Sequence, residues 1–384
     1  MKITFLIGNG FDIGMGMKSK FSDYFPVYIE QSKSKKISLK GLADHIEEDK
    51  ENWSYFERQL GYYTDEFIPE TKKLYFDQVK DFEKGFINYL KIQESKLLFN
   101  NSQKIAHMMI DALLSYHSDN NLPRQSAKDI ERIYDKYKNE NITYNFINFN
   151  YTSVLEKVLN TIPQKIVCKR KGSNTEYIDK IGSIVYVHGR SDRHPIMGVN
   201  DVSQISNKEL ANDGKFARYI VKPILNSRLR QNNDIDAENL IFESNVICIY
   251  GMSLGETDKQ WWNKILAWLY NNANHHLIIF DYDEQYTTST QFDRIEKEDS
   301  ILDKLTEYNT NGIINVEKLR TRIHIAVHKN IFQMNLREKS SSNKLLKDIS
   351  NAENRYDEIV FVNEHADEIN KAQEKAGEIS ILMK

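Results

Sequence analysis

An apolar segment that runs directly into a glycine-rich turn opens the chain. KITFLI occupies residues 2–7, and GNGFDIGMG follows it at residues 8–16. Gly8 and Gly10 allow the backbone to turn sharply and to approach a phosphate group closely. A helix that starts in this turn would add free N–H groups and the positive end of its dipole. The segment therefore predicts the first strand of an α/β fold that binds a nucleotide.

The spacing of the glycines differs from the usual dinucleotide-binding fingerprint. Gly8, Gly10 and Gly14 give the pattern G-x-G-x-x-x-G, which is one residue longer than the usual motif. Glu30 lies at the right distance for a ribose contact, but its surroundings (YFPVYIEQ) predict a helix and not a strand end. The pattern therefore disfavours a Rossmann dehydrogenase. A tight turn without a ligand remains the alternative for this motif alone.

Five further apolar runs predict buried parallel strands. Most of them end in a polar or glycine-containing turn. They lie at residues 144–149, 184–187, 246–250, 277–280 and 323–327. Because ligands bind at the carboxyl ends of the strands in open parallel sheets, these turns together predict a binding site at that edge.

Composition limits the class of protein. The 384 residues suffice for one large domain or two ordinary ones, and a net charge of -3 gives no overall attraction to nucleic acid or to an anionic membrane. The two cysteines, Cys168 and Cys248, exclude a disulfide framework and a four-cysteine zinc ribbon. No apolar run approaches the ~20 residues of a membrane span, and the N-terminus lacks a signal peptide. We therefore expect a cytoplasmic protein.

Three regions are expected along the chain. Residues 1–19 and 141–335 would form the α/β nucleotide-binding domain, residues 20–140 a helical insertion or cap, and residues 336–384 a helical extension. The polar segment at residues 169–180 predicts a loop or a hairpin before the third strand.

Asn150 is a candidate site residue because it follows the second predicted strand directly. A helix is predicted to begin behind it, with Thr152 or Ser153 as the N-cap. Glu156 stands three residues after Ser153 and would complete a capping box. A turn residue without a ligand is the alternative role for Asn150, since asparagine is favoured in turns.

Other strand ends supply further candidates. His188 follows the third strand, and Gly189 would allow a ligand to approach it closely. Gly251 and Ser253 follow the fourth strand, where they could contact a phosphate or a ribose. Asp281 ends the fifth strand and could accept hydrogen bonds from ribose hydroxyls. A structural histidine and a surface turn remain the alternatives for His188 and Asp281.

For several other residues, a structural role is expected or is one of two alternatives. Asp258 is expected to interact with the N-terminal dipole of the helix that follows it. Trp53 and Glu57 lie one helical turn apart and would either pack the cap against the site or lie on a helix surface. The adjacent His275 and His276 point to different faces, so we expect no metal site there.

A set of motifs gives the chain a family resemblance. GNGFD, WSYFERQLG, FNYT, VHG and YGMSLGETD begin at residues 8, 53, 149, 187 and 250. Together they resemble the bacterial abortive-infection AbiH family, which in turn is similar to a divergent branch of sirtuin-like proteins. The resemblance implies a Rossmann-like, sirtuin-like parallel sheet flanked by helices, with a large helical insertion after the first strand.

The resemblance also implies NAD as the substrate and roles for individual residues. Asn150 and His188 would be catalytic, with His188 as the base. The residues expected on the cofactor, including Asp281 from the strand-end argument, are Gly8, Asn9, Gly10, Phe11, Asp12, Gly251, Ser253 and Asp281.

This sequence departs from the wider sirtuin-like pattern at three points. Asn9 replaces the small residue of the first turn, and Thr152 stands where the wider group often has aspartate. With two cysteines, the zinc module of deacetylating sirtuins cannot be present. NAD cleavage without an acyl-lysine partner is therefore the expected chemistry.

Cleavage of the bond between ribose C1′ and nicotinamide makes few chemical demands. The transition state resembles an oxocarbenium ion, and the leaving group already carries a positive charge, so no general acid is needed. A histidine with a pKa near ~6.5 suits the task of a base at neutral pH. The Asn150 amide could position water or ribose hydroxyls.

We therefore predict an antiphage abortive-infection effector that hydrolyses NAD. A phage-derived trigger protein and a second copy of the chain are expected as further partners. A nucleotide- or ADP-ribose-binding regulator without turnover is the first alternative. A nuclease toxin is disfavoured, because the net charge is negative and no compact carboxylate cluster for Mg²⁺ is evident.

Overall fold

Side chains of the central strands are buried alternately in two hydrophobic clusters. In the strand β1 (Lys2–Ile7), Ile3 and Phe5 belong to one cluster and Leu6 belongs to the other. The strand β5 (Val246–Tyr250) buries all five of its residues in the same alternating manner. Because successive side chains of a strand point to opposite faces, a strand that is apolar throughout needs cover on both sides. These runs therefore specify a sheet between two layers of helices.

The computed structural model describes residues 1–337 except 54, 173–174, 283–289, 310–311, 313 and 333. In this part of the chain, seven strands form one sheet in the order β3-β4-β2-β1-β5-β6-β7. The remaining strands are β2 (Thr143–Asn148), β3 (Ile166–Lys171), β4 (Glu176–Tyr186), β6 (His276–Asp281) and β7 (Ile323–Val327). All neighbouring strands pair in parallel except β3, which is antiparallel to β4. The expected α/β class with a largely parallel sheet is confirmed.

Helices flank the sheet. Those before β2 are α1 (Asn9–Gly14), α2 (Phe21–Ser32), α3 (Gly41–Glu48), α4 (Lys50–Trp53), α5 (Phe56–Tyr62), α6 (Lys72–Ser95), α7 (Ser102–Ser115) and α8 (Arg124–Lys136). Those after β2 are α9 (Val154–Leu159), α10 (Lys208–Asn212), α11 (Gly214–Ile220), α12 (Lys222–Arg228), α13 (Asn233–Phe242), α14 (Lys259–Asn271) and α15 (Gln291–Glu307). No helix in the described ranges is both long and apolar enough to cross a membrane.

Aromatic packing holds the helices between β1 and β2 together. Phe56 stacks on Phe82 with their ring centroids 4.1 Å apart, and Phe21 stacks on Phe86 at 4.5 Å. Phe56, Phe82 and Phe86 belong to the same hydrophobic cluster as one face of the sheet, and Phe21 packs against that cluster. The division of the chain into an α/β domain and a helical cap stays a prediction. The expected C-terminal extension falls outside the described residues from position 338 onwards.

The third predicted strand differs most from the structure. The apolar run at residues 184–187 is only the end of β4, which begins at Glu176 and pairs with β3. The hairpin alternative for residues 169–180 is therefore the correct one. β3 escaped prediction because it lies at the edge of the sheet and carries exposed basic residues after a short apolar start.

The predicted capping box at the start of α9 is wrong. Ser153 is the N-cap residue, but its hydroxyl donates a hydrogen bond to the carboxylate of Glu94 and makes no side-chain cap bond. Glu156 instead accepts a hydrogen bond from the guanidinium of Arg190. Both side chains bond to residues that are distant in sequence, and the local motif does not reveal these partners.

The turns that follow β1 and β5 are in direct backbone contact. The amide of Gly8 donates to the carbonyl of Tyr250 at 2.9 Å, and the amide of Gly10 donates to the carbonyl of Gly251 at 2.8 Å. A Cβ atom on Gly10 would lie 2.5 Å from the Cα atom of Gly251, which itself has a φ of +68°. The two turns can approach this closely only because glycine occupies the contact positions in both of them.

Replacing Gly10 by alanine should therefore destabilise the fold. The added methyl group meets backbone that cannot move aside, so we expect a loss of about 2 kcal/mol or more in the free energy of unfolding. Chemical denaturation of Gly10→Ala and wild type measures this loss.

Gly214→Ala is a matched control for this substitution. Gly214 also lies in the first turn of a helix, but no described atom lies within 4 Å of the position that its Cβ would take. This variant should be as stable as wild type or slightly more stable. Equal stabilities for the two alanine variants would contradict the packing role of Gly10.

Candidate functional site

A cavity of about 270 Å³ lies at the carboxyl ends of four neighbouring strands, β4, β2, β1 and β5. Helix side chains close it from the other side, among them Phe21 of α2 and Phe86 of α6. The cavity brings together seven of the predicted site residues. These are Gly8, Asn9, Asp12, Asn150, His188, Gly251 and Ser253.

Three predicted cofactor contacts are not among the described residues that line this cavity. Gly10 packs against Gly251, as described above. The side chain of Phe11 is fully buried and packs edge-to-face on Phe332. Asp281 ends β6, where its carboxylate lies 3.2 Å from the ammonium group of Lys297. Their contact with a cofactor stays a prediction.

Two of the amides that were expected to face a phosphate are engaged inside the fold. The N–H groups of Gly8 and Gly10 both donate to carbonyls at the end of β5. The side chain of Asn9 does line the cavity, where it accepts a hydrogen bond from the hydroxyl of Ser19. For a phosphate bound in this cavity, Asn9 and Ser253 would therefore be better hydrogen-bonding partners than the two glycine amides.

Asn150 ties the turn after β2 to the turn after β1. Its Nδ2 donates to the carbonyl of Gly8 at 3.0 Å, and its backbone amide donates to Oδ1 of Asn148 at 3.1 Å. The side chain is buried, so these bonds fix its orientation. Nδ2 uses one of its two hydrogens for the bond to Gly8, and a hydrogen bond from the Asn150 side chain also lowers the pKa of Asp12.

Asp12 is a buried carboxyl group at the floor of the cavity. The residue is 1% exposed, and its Oδ2 accepts a hydrogen bond from the hydroxyl of Thr152 at 2.6 Å. Its Oδ1 is closed off from solvent and has no hydrogen-bond partner among the described residues. Burial raises the pKa of Asp12 to about 7, with Thr152 opposing the shift and Glu94 adding to it. The group therefore exists in both protonation states near neutral pH.

His188 is held between two aromatic rings. Its ring packs edge-to-face on Phe149 with the centroids 5.6 Å apart, and lies 6.0 Å from the ring of Tyr151. Burial lowers the pKa of His188 well below 6.5, and the nearby ammonium group of Lys222 lowers it further. The expectation of a base with a pKa near ~6.5 therefore does not hold: His188 is neutral at pH 7 and a weaker base than assumed.

One residue of the cavity lining, Glu57, belongs to an ion pair that the sequence does not reveal. Lys222 of α12 donates a hydrogen bond to the Glu57 carboxylate of α5, and both side chains are largely buried. The hydroxyl of Tyr151 donates to the same carboxylate oxygen at 3.1 Å. Of the two roles considered for Glu57, the structure therefore favours the site over the helix surface. No local pattern marks Lys222, because only the tertiary structure encloses it.

Asp258 has a different environment from the one expected. It is the N-cap residue of α14, but its side chain makes no cap hydrogen bond and lines the cavity. Burial raises its pKa to about 7, while the charge of Lys222 opposes this shift and that of Glu57 adds to it. A role limited to the helix dipole does not describe this carboxyl group.

Fold and cavity together define an α/β protein with a candidate ligand site at the carboxyl edge of a largely parallel sheet. From β1 the chain extends the sheet in both directions, first through β2 on one side and later through β5 on the other. Ligands of open α/β sheets bind at such a switch point. Perturbed titratable groups also cluster at functional sites.

The sequence matches the model of the family described as "Bacteriophage abortive infection AbiH" over residues 4–281. This match covers most of the chain, so the protein belongs to the AbiH family, which implies a role in abortive infection as a defence against bacteriophage. The resemblance seen in the motifs is thereby confirmed at the level of this family. Among curated proteins, none matches the sequence significantly.

The raised pKa of Asp12 predicts a pH-dependent contribution to stability. In the unfolded chain an aspartate titrates near pH ~4, whereas folded Asp12 has a pKa of about 7. The folded chain therefore binds the extra proton between these values. The stability that Asp12 contributes is fully present below about pH 4 and is lost as the pH rises to about 7. Asp12→Asn should thus gain stability relative to wild type between about pH 5 and pH 8, as measured by denaturation at both values.

Asp213→Asn provides a control of opposite sign. Asp213 is bonded to Lys72 and caps α11, and these hydrogen bonds lower its pKa. Its contribution is present at neutral pH and is lost as the pH falls through that lowered pKa. The substitution should therefore cost stability at pH 7 and less in acid. An Asp12→Asn difference that stays constant from pH 5 to pH 8 would contradict the buried, protonated carboxyl.

Proposed function

We propose that the protein binds NAD with the nicotinamide riboside end in the cavity and hydrolyses the bond between nicotinamide and ribose, as an effector of abortive infection. The observation that carries the proposal is the meeting of Asn150 and His188 in one cavity. They come from the ends of two different strands, and the same cavity is also lined by Asn9 and Ser253. The similarity of the motifs to sirtuin-like proteins supports the same substrate.

The reacting end of NAD suits the chemical character of this cavity. Its aromatic lining includes Phe21, Phe86 and Phe149, whose ring faces attract a positively charged pyridinium ring. Oδ1 of Asn150 would accept a hydrogen bond from a ribose hydroxyl or from the attacking water. Neutral His188 offers both a donor and an acceptor nitrogen for the same groups.

The size of the cavity limits how much of NAD it can enclose. About 270 Å³ is slightly less than the ~300–1,000 Å³ typical of small-molecule sites. The nicotinamide and its ribose would therefore fill the cavity. The pyrophosphate and the adenosine would extend across the rim near Asn9 and Ser253.

The proposal predicts that purified protein releases nicotinamide from NAD. His188→Ala should lower the rate on the order of 10²-fold or more, because the ribose and the water lose an orienting partner. Nicotinamide is measured by chromatography with and without extract of phage-infected cells, and thermal denaturation verifies folding. His107→Ala removes an exposed histidine from α7 and should leave the rate unchanged.

The two main alternatives give different results in this experiment. NAD or ADP-ribose that binds to wild type without any release of nicotinamide would identify a regulator and overturn the proposed hydrolysis. A wild type that neither binds nor cleaves NAD, with or without the infected extract, would overturn the substrate as well. The nuclease alternative finds no support, since the described residues contain no group of three or more His, Cys, Asp or Glu placed to hold a metal ion.

A further inference from the structure

The polar corner of the cavity contains groups to which the proposed hydrolysis gives no role. Glu57, which lines the cavity, forms an ion pair with the buried Lys222 next to it, and the hydroxyl of Tyr151 also donates to Glu57. Two donors thus hold the Glu57 carboxylate in place. Because burying charged groups is costly, an ion pair at the wall of a ligand cavity calls for an explanation beyond stability.

Asp258 faces the same corner. Its Oδ1 is shielded from solvent and has no hydrogen-bond partner among the described residues, although the group lines the cavity. Lys222 acts electrostatically on both Asp258 and His188, so these three groups are neighbours. A hydrogen bond from the side chain of Asn200 and the nearby hydroxyl of Tyr151 also act on Asp258. Asp258 is thus a carboxyl group in the wall of the same cavity as Asn150 and His188, where a bound molecule can meet it.

The hydrolysis requires a group that takes up a proton. Water forms a bond to C1′ while the bond from C1′ to the pyridinium nitrogen breaks, and the electron pair of that bond neutralises the departing nicotinamide. The water must then lose a proton. The best acceptor has a pKa close to the working pH. Burial brings the pKa of Asp258 to about 7, whereas the pKa of His188 falls well below 6.5.

We infer that Asp258, a residue of the cavity wall, is the catalytic base of the glycosidic cleavage and that its carboxylate accepts the proton of the attacking water. This inference rests on the proposed hydrolysis of NAD. Lys222 keeps the carboxylate ionised during the reaction, and Glu57 fixes Lys222 in position. His188 and Asn150 orient the ribose and the water. The proton passes from Asp258 to solvent after ADP-ribose leaves, so that each turnover consumes one water and releases one proton.

The test compares nicotinamide release by wild type and by Asp258→Asn between about pH 5.5 and pH 8.5. The wild-type rate should rise with pH through about 7 as the Asp258 carboxylate forms. Asp258→Asn should lower kcat on the order of 10²- to 10⁴-fold, abolish this pH dependence and keep the affinity for ADP-ribose measured by calorimetry. Asp258→Glu should recover part of the rate, since it restores a carboxylate.

Asp234→Asn is the matched control. It removes a carboxylate from the first turn of α13, a position that resembles Asp258 in its relation to a helix but lies outside the cavity lining among the described residues. Its rate and pH profile should equal those of wild type. If wild type cleaves NAD and Asp258→Asn keeps both its rate and its pH profile, the role of Asp258 is overturned while the hydrolysis stands. If wild type releases no nicotinamide, the proposed hydrolysis fails and this role fails with it.

Discussion

The backbone contact between the turns after β1 and β5 is the constraint on which the candidate site depends. Gly10 and Gly251 lie so close that neither position has space for a side chain, and the amides of Gly8 and Gly10 bond to the end of β5. Asn150 adds the turn after β2 by donating to the carbonyl of Gly8. Backbone contacts and one buried amide thus join three strand ends into a single floor. The positions of the side chains above that floor follow from this arrangement.

Burial sets the charge of the cavity. It raises the pKa values of Asp12 and Asp258 to about 7 and lowers that of His188, so each shift favours the neutral form. Lys222 and Glu57 carry opposite charges in direct contact. The result is a polar cavity with little net charge, in which small changes in pH or in a bound ligand alter the protonation of the two carboxyl groups. Such a cavity is suited to proton transfer near neutral pH.

Two parts of the fold contribute to this cavity in different ways. The sheet supplies Asn150 and His188 at the ends of neighbouring strands. The helices supply the apolar wall and the pair formed by Glu57 of α5 and Lys222 of α12. Since α5 lies in the long segment between β1 and β2, this segment does more than cover the sheet. It completes the electrostatic environment of the site.

The sequence by itself determined the central strands and the family, and it predicted the location of the candidate site. Central strands are buried on both faces, so β1, β2 and β5 are visible as largely apolar runs, and the polar residues that follow them mark one edge of the sheet. The edge strand β3 and the polar start of β4 escaped because one exposed face leaves no such run. Only the tertiary structure decided that Lys222 meets Glu57, that Asp258 faces the cavity and that the amide of Gly10 is already bonded. These features depend on which distant groups share a region shielded from water, and a local pattern of residues does not contain that information.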